Sequence, residues 1–81
     1  MQTHELVLYH YESCPYCQKV RRFLAQHDVA IPERDTLREP GARADLIQRG
    51  GKGQVPALSI DGDILYESDA IIAWVREHLL A

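Results

Sequence analysis

The chain has 81 residues, enough for one small domain with a modest core. Apolar residues make up 46% of it and charged residues 26%, the balance of a folded globule rather than a disordered segment or a membrane span. Net charge is −3, and the nine basic residues are scattered from Lys19 to Arg76, which excludes the basic stripe that nucleic acid demands.

The elements follow in order. "LVLYHY", residues 6–11, is a continuous apolar run, as in a strand covered on both faces. From Cys14 to about His27 a helix is predicted, with Cys17, Val20 and Leu24 on one face and Gln18, Lys19, Arg22 and Gln26 towards water. "VAIPERD", residues 29–35, reads as a second strand. Pro32 cannot donate a ladder hydrogen bond, so this strand is expected at a sheet edge. Pro40 opens a second helix through "GARADLIQR", and Gly50 with Gly51 supplies the left-handed residue that ends it. "PALSI" and "ILY" flank Asp61, Gly62 and Asp63, a pattern suited to a tight hairpin. In "ESDAIIAWVREHLL", Ile71, Ile72, Val75 and Leu79 form one helical stripe, with Ser68 as its N-cap.

The predicted order is βαβαββα. A right-handed crossover makes the first two strands parallel, and the hairpin adds two antiparallel strands to the same sheet. The expectation is an α/β fold resembling the minimal thioredoxin type. It has a four-stranded mixed sheet with helices on both faces, in a single domain over residues 1–81. The first ten residues, "MQTHELVLYH", lack the basic and then long apolar regions of a secretory leader, so a cytoplasmic protein is expected. Thiols are kept reduced there, and a close cysteine pair then points to catalysis or metal binding rather than a permanent staple.

That pair lies in "SCPYCQKVRR", residues 13–22. Side chains three apart on a helix lie about 5–6 Å apart on one face, so Cys14 and Cys17 can close a disulfide with little backbone movement. Pro15 suits the first helical position, which puts Cys14 at the N-cap. There the free amides of the first turn and the positive end of the helix dipole favour a thiolate, making Cys14 the nucleophile. Cys17, one turn inside and aligned with Val20 and Leu24, is expected to be more buried, less ionised and the resolving thiol. Structural zinc usually needs four ligands. There is no second cysteine pair, and His4, His10, His27 and His78 lack ligand spacing, so no metal is expected. The four histidines read as surface or packing residues.

"CPYC" after a strand, Val55–Pro56, and a helix opening at "ESDA" together resemble the glutaredoxin family over nearly the whole chain. CPYC is that family's dithiol signature. The segment "GQVPALSIDGDILYESDAI" is closer to the N-terminal domain of glutathione transferases, whose helical second domain has no counterpart before Ala81. The resemblance implies that Pro56 is cis and faces the active cysteine, and that the Val55 backbone pairs with the cysteinyl part of glutathione. Ser68 would bind the γ-glutamyl carboxylate, in keeping with the affinity of helix N-termini for anions. Glu67 and Asp69 become candidates for the glutathione ammonium, and Tyr16 joins the glutathione-binding set. Acidic residues at a helix start also complement the dipole, whatever they bind.

Departures from the family pattern stand beside these matches. The usual lysine three residues before the first cysteine is Tyr11 here, followed by Glu12. Lys19, Arg38 and Lys52 are the candidate replacements, and the linear sequence does not rank them. Gln54 stands for the usual threonine, and Tyr66–Glu67 for the usual paired glycines.

The expected activity is glutathione-dependent thiol–disulfide exchange through Cys14 and Cys17, with glutathione as cosubstrate and no bound cofactor. Expected partners are glutathione and glutathionylated or disulfide-containing proteins, acted on by a monomer away from nucleic acid and membrane. Three alternatives stand beside it: a transferase-like conjugating enzyme, a glutathione- or partner-binding sensor using Tyr9, Tyr11 and Tyr16, and an iron–sulfur glutaredoxin. The proline directly after the first cysteine disfavours the last of these in the family.

Overall fold

A computed structural model describes residues 4–80. Residues 1–3, on which part of the reading of the N-terminus rests, and Ala81 lie outside the described residues. The elements are β1 (Leu6–His10), α1 (Pro15–Gln26), β2 (Glu33–Asp35), α2 (Ala42–Gly50), β3 (Ala57–Ile60), β4 (Asp63–Tyr66) and α3 (Ser68–His78). They form one four-stranded sheet in the order β2-β1-β3-β4, with β1 parallel to β2 and the other two pairings antiparallel.

Strand alternation sorts the core onto the two faces. Leu8 and Leu58, partners in the β1–β3 register, join Val20, Phe23 and Leu24 of α1 and Ile71 and Val75 of α3 in the larger cluster. Their neighbours Tyr9 and Ala57 point the other way and meet Leu46 of α2. Helices thus cover both faces, as the element order implied.

The α2 side has little apolar surface to bury, because Ala42 and Leu46 are the buried residues of that helix. Asp45 ties it down instead. Its Oδ2 accepts from Tyr9 Oη at 2.6 Å and from Arg34 Nη1 at 2.7 Å, and its Oδ1 from Arg49 Nε at 3.0 Å. The hydrogen bonds from Tyr9 and Arg49 hold the Asp45 carboxyl below the usual carboxylate range. Burial, with the Asp45 hydrogen bond, pushes the Tyr9 phenol up.

Three local expectations need correction. The second strand is regular only over Glu33–Asp35. Pro32 still takes part through its carbonyl, which accepts from Leu8 N at 2.8 Å, but it has no N–H with which to extend the ladder. The edge position was anticipated correctly. Pro40 does not open α2: Pro40 and Gly41 are the central residues of a turn closed by Ala42 N–H to Glu39 O at 3.1 Å. Gly41 has φ +84°, the left-handed value that the third position of a type II turn requires, and the helix begins after it. Ser68 is the first residue of α3 rather than its cap; Glu67 holds the cap position, with φ 79° and ψ 123°.

The hairpin came out as expected, with Asp61 at φ 52° and Gly62 at φ 96°, the two positive values of a type I′ turn. No described helix is long and apolar enough to cross a membrane.

Candidate active site

α1 starts where the sequence places it. Cys14 is the N-cap in an extended conformation, and Pro15 takes the first helical position, where a missing N–H breaks no helical bond. Cys14 Sγ accepts from the Cys17 amide at 3.3 Å. Its own thiol is directed at the Val55 carbonyl, 4.0 Å away. Both cysteines are free thiols; Cys14 is 4% exposed and Cys17 fully buried. Burial, reinforced by the hydrogen bond with Cys14, pushes the Cys17 thiol up to about 12, against a backbone hydrogen bond from Tyr11 that favours the thiolate.

The Val55–Pro56 peptide is cis. It leads into β3 and places the Val55 carbonyl against the cysteine loop, joining positions 41 residues apart. Beside it opens a cleft of about 640 Å³ lined by Tyr16, Gln54, Val55, Pro56, Glu67, Ser68 and Asp69. Every residue that the resemblance assigned to glutathione binding therefore lines one depression. Tyr16 is 65% exposed, an aromatic ring held out at the rim. Ser68 and Asp69 bring the start of α3 to the cleft, and the first-turn amides there have no intrahelical acceptors.

Glu67 is the strained member. Its φ of 79° is a value that non-glycine residues rarely adopt, and such conformations cost on the order of 1–3 kcal/mol. Gln54 Nε2 donates to its carboxylate at 2.9 Å. Gln54 entered the sequence reading only as a departure from a family pattern. Its partnership with Glu67, 13 residues on, has no periodic signature.

The three candidate cations separate clearly. Lys19 of α1 pairs with Asp69 on the cleft wall. Arg38 pairs with Glu12 at 2.8 Å, so the acid beside the cysteine loop has its own counterion. The Asp35 carboxylate turns that segment back by accepting from the Leu37 and Arg38 amides at 2.9 and 3.0 Å. Lys52 lies over the Tyr66 ring, 4.8 Å from its centroid, and does not line the cleft. Among the described residues no three His, Cys, Asp or Glu side chains group as metal ligands.

A cysteine pair at a helix N-terminus, faced by a cis-proline on a mixed four-stranded sheet, defines the thioredoxin-fold class of dithiol proteins. The comparisons agree and narrow it. Residues 8–79 match the family described as the N-terminal domain of glutathione S-transferases. The chain is 32% identical over 69 residues to glutaredoxin 3 of Escherichia coli, covering 78% of this chain and 83% of that one. It belongs to the glutaredoxin family, with a transferase-like sequence imprint.

Among solved structures, a thioredoxin-like protein superposes with a TM-score of 0.73 at 26% identity, covering 89% of this chain and 96% of that one. Glutathione transferase E6 from Drosophila melanogaster superposes with a TM-score of 0.71 at 28% identity. That match covers 89% of this chain and 34% of the transferase, so the chain spans about a third of the transferase's length.

Proposed function

We propose that the protein is a glutathione-dependent thiol–disulfide oxidoreductase that reduces protein–glutathione mixed disulfides and protein disulfides. The observation that carries this reading is the cleft, which gathers Tyr16, Val55, Pro56, Glu67, Ser68 and Asp69 beside the Val55 carbonyl that faces Cys14 Sγ. In this reading the Val55 main chain pairs with the cysteinyl part of glutathione. Ser68 and the first amides of α3 take the γ-glutamyl carboxylate, and Glu67 and Asp69 take its ammonium. The strain at Glu67 fits a side chain held for binding.

Cys14, whose Sγ accepts from the Cys17 amide at the start of α1, attacks a glutathionylated substrate, releases the protein thiol and becomes glutathionylated itself. A second glutathione then regenerates the thiol and leaves as oxidised glutathione. For a protein disulfide, Cys17 displaces the target from Cys14, and glutathione reduces the resulting bridge. Glutathione is the cosubstrate, no metal or prosthetic group is required, and the monomer acts in the cytoplasm.

The test is turnover of a glutathionylated small disulfide, coupled to glutathione reductase and NADPH. Wild type and Cys17→Ser are expected to turn over, whereas Cys14→Ser loses activity by on the order of 10³-fold or more, as nucleophile removal does. A wild type that is inactive despite a reactive Cys14 rejects the glutathione-dependent reading. The transferase-family match favours one second reading, conjugation of glutathione to an electrophile. Glutathione-dependent release of chloride from an aromatic chloride, retained in Cys14→Ser, would replace the first reading with the second.

A further inference from the structure

One ion pair stands at the cleft itself. Lys19 Nζ on α1 donates to Asp69 Oδ1 on α3, and Asp69 lines the cleft. Lys19 also lies three residues beyond Tyr16, on the side of α1 that carries the aromatic rim of the same cleft. The two side chains are 49% and 87% exposed. An exposed pair of this kind adds little to stability, so clamping α1 to α3 is a weak account of its presence.

Its unused hydrogen-bonding capacity suggests another role. An ammonium has three donors and a carboxylate two oxygens, and here a single Nζ–Oδ1 contact is made among the described residues. Lys19 therefore has donors to spare, and Asp69 Oδ2 has no donor facing it. Ser68 lines the cleft beside them, 8% exposed, and its hydroxyl has no hydrogen-bond partner among the described residues. A cation, an anion and a buried hydroxyl thus stand side by side. A simple anion would be drawn to Lys19 and repelled by Asp69, and a simple cation the reverse. A group that carries a carboxylate and an ammonium on one carbon satisfies both. In glutathione that group is the head of the γ-glutamyl residue; the glycine end has a carboxylate alone.

We propose that Lys19 is a specificity-determining residue that, with Asp69, reads the zwitterionic head of the γ-glutamyl residue. The inference rests on the glutathione reading above and adds to it a residue of the cysteine helix. Lys19 keeps its bond to Asp69 and gives a second donor to the α-carboxylate, which Ser68 also meets. The free oxygen of Asp69 accepts from the α-ammonium.

The test is rapid mixing of the reduced protein with mixed disulfides that join a coloured aromatic thiol to a tripeptide. Cys14 bonds to the tripeptide sulfur, the disulfide breaks, and its electron pair leaves with the aromatic thiolate. Three tripeptides are compared: glutathione, glutaryl-cysteinyl-glycine, which lacks the ammonium, and γ-aminobutyryl-cysteinyl-glycine, which lacks the α-carboxylate. With glutathione, Lys19→Met is expected to lower the second-order rate constant about fivefold, less than a buried charged hydrogen bond would give because the pair is exposed. The loss should persist with the glutaryl compound and vanish with the γ-aminobutyryl one, and Lys19→Arg should restore most of the rate. An unchanged rate with glutathione overturns the proposal. So does an equal fall with all three tripeptides, which would place Lys19 in the reactivity of Cys14 or in the fold. A wild type that reacts no faster with the glutathione compound than with the mixed disulfide of mercaptoethanol removes the glutathione reading and this inference together.

Discussion

On one face of the sheet, α1 and α3 close over a cluster of eight buried apolar residues, and both cysteines at the start of α1 are buried. On the other, α2 covers Tyr9, Leu46 and Ala57 and is pinned through the carboxylate of Asp45. Apolar burial dominates on the first face and hydrogen-bond geometry on the second. The placement has a chemical consequence. Burial on the first face pushes the Cys17 thiol up, whereas the polar pins lie on the face away from the cysteines.

The largest test of this contrast is Leu58→Ala. Leu58 is fully buried in the larger core, and its loss should cost about 2–5 kcal/mol in denaturant unfolding. Tyr9→Phe on the other face removes one hydroxyl while Arg34 and Arg49 still hold Asp45. It should cost only about 1 kcal/mol by the same measurement. Equal losses would erase the distinction between the faces.

Glu67→Gly probes the cleft where the two faces meet at one end of the sheet. It should raise the KM for glutathione about fivefold, as expected for one lost polar contact. The melting temperature should not fall, because glycine accepts the positive φ without strain. A lower melting temperature with unchanged KM would make Glu67 a structural residue.

Further effects lie in pH, and they separate the faces by sign. The folded state holds the Cys17 proton more tightly than the unfolded chain does. The stability of the reduced protein is therefore fully present below the ordinary thiol value near 9 and is lost as pH rises towards about 12. Cys17→Ser should remove that alkaline loss. Asp45 has the opposite sign: its contribution is present above the ordinary carboxylate value and is lost as pH falls through its lowered folded value. Unfolding curves taken across pH should show the acid loss diminished in Asp45→Asn and unaffected in Cys17→Ser.

Local rules were most legible where they act within a few residues. Pro15 after Cys14 and the Asp61–Gly62 turn were readable because each depends on the dihedral preferences of adjacent positions. Pro40 misled because proline suits the first position of a helix and the second position of a turn equally well, and the left-handed Gly41 decided for the turn. Ser68 misled similarly: serine is a good cap, but the chain leaves β4 through Glu67 in a conformation that no local propensity predicts. The gathering of Tyr16, Val55 and Glu67 around one cleft was inferred only from a family resemblance, because periodicity carries no information about distant approach.

By itself the sequence determined the element order, the Cys14 cap, the inward turn of Cys17 and the edge position of the second strand. Each follows from helical spacing or from the missing N–H of proline. Only the tertiary structure decided which cations remain beside the cleft, that Gln54 holds Glu67, and that a histidine read as a surface or packing residue lies buried with its Nε2 3.7 Å from Glu33. Those pairings join residues on different elements, and their energies depend on distance and burial, which exist only once the sheet has formed.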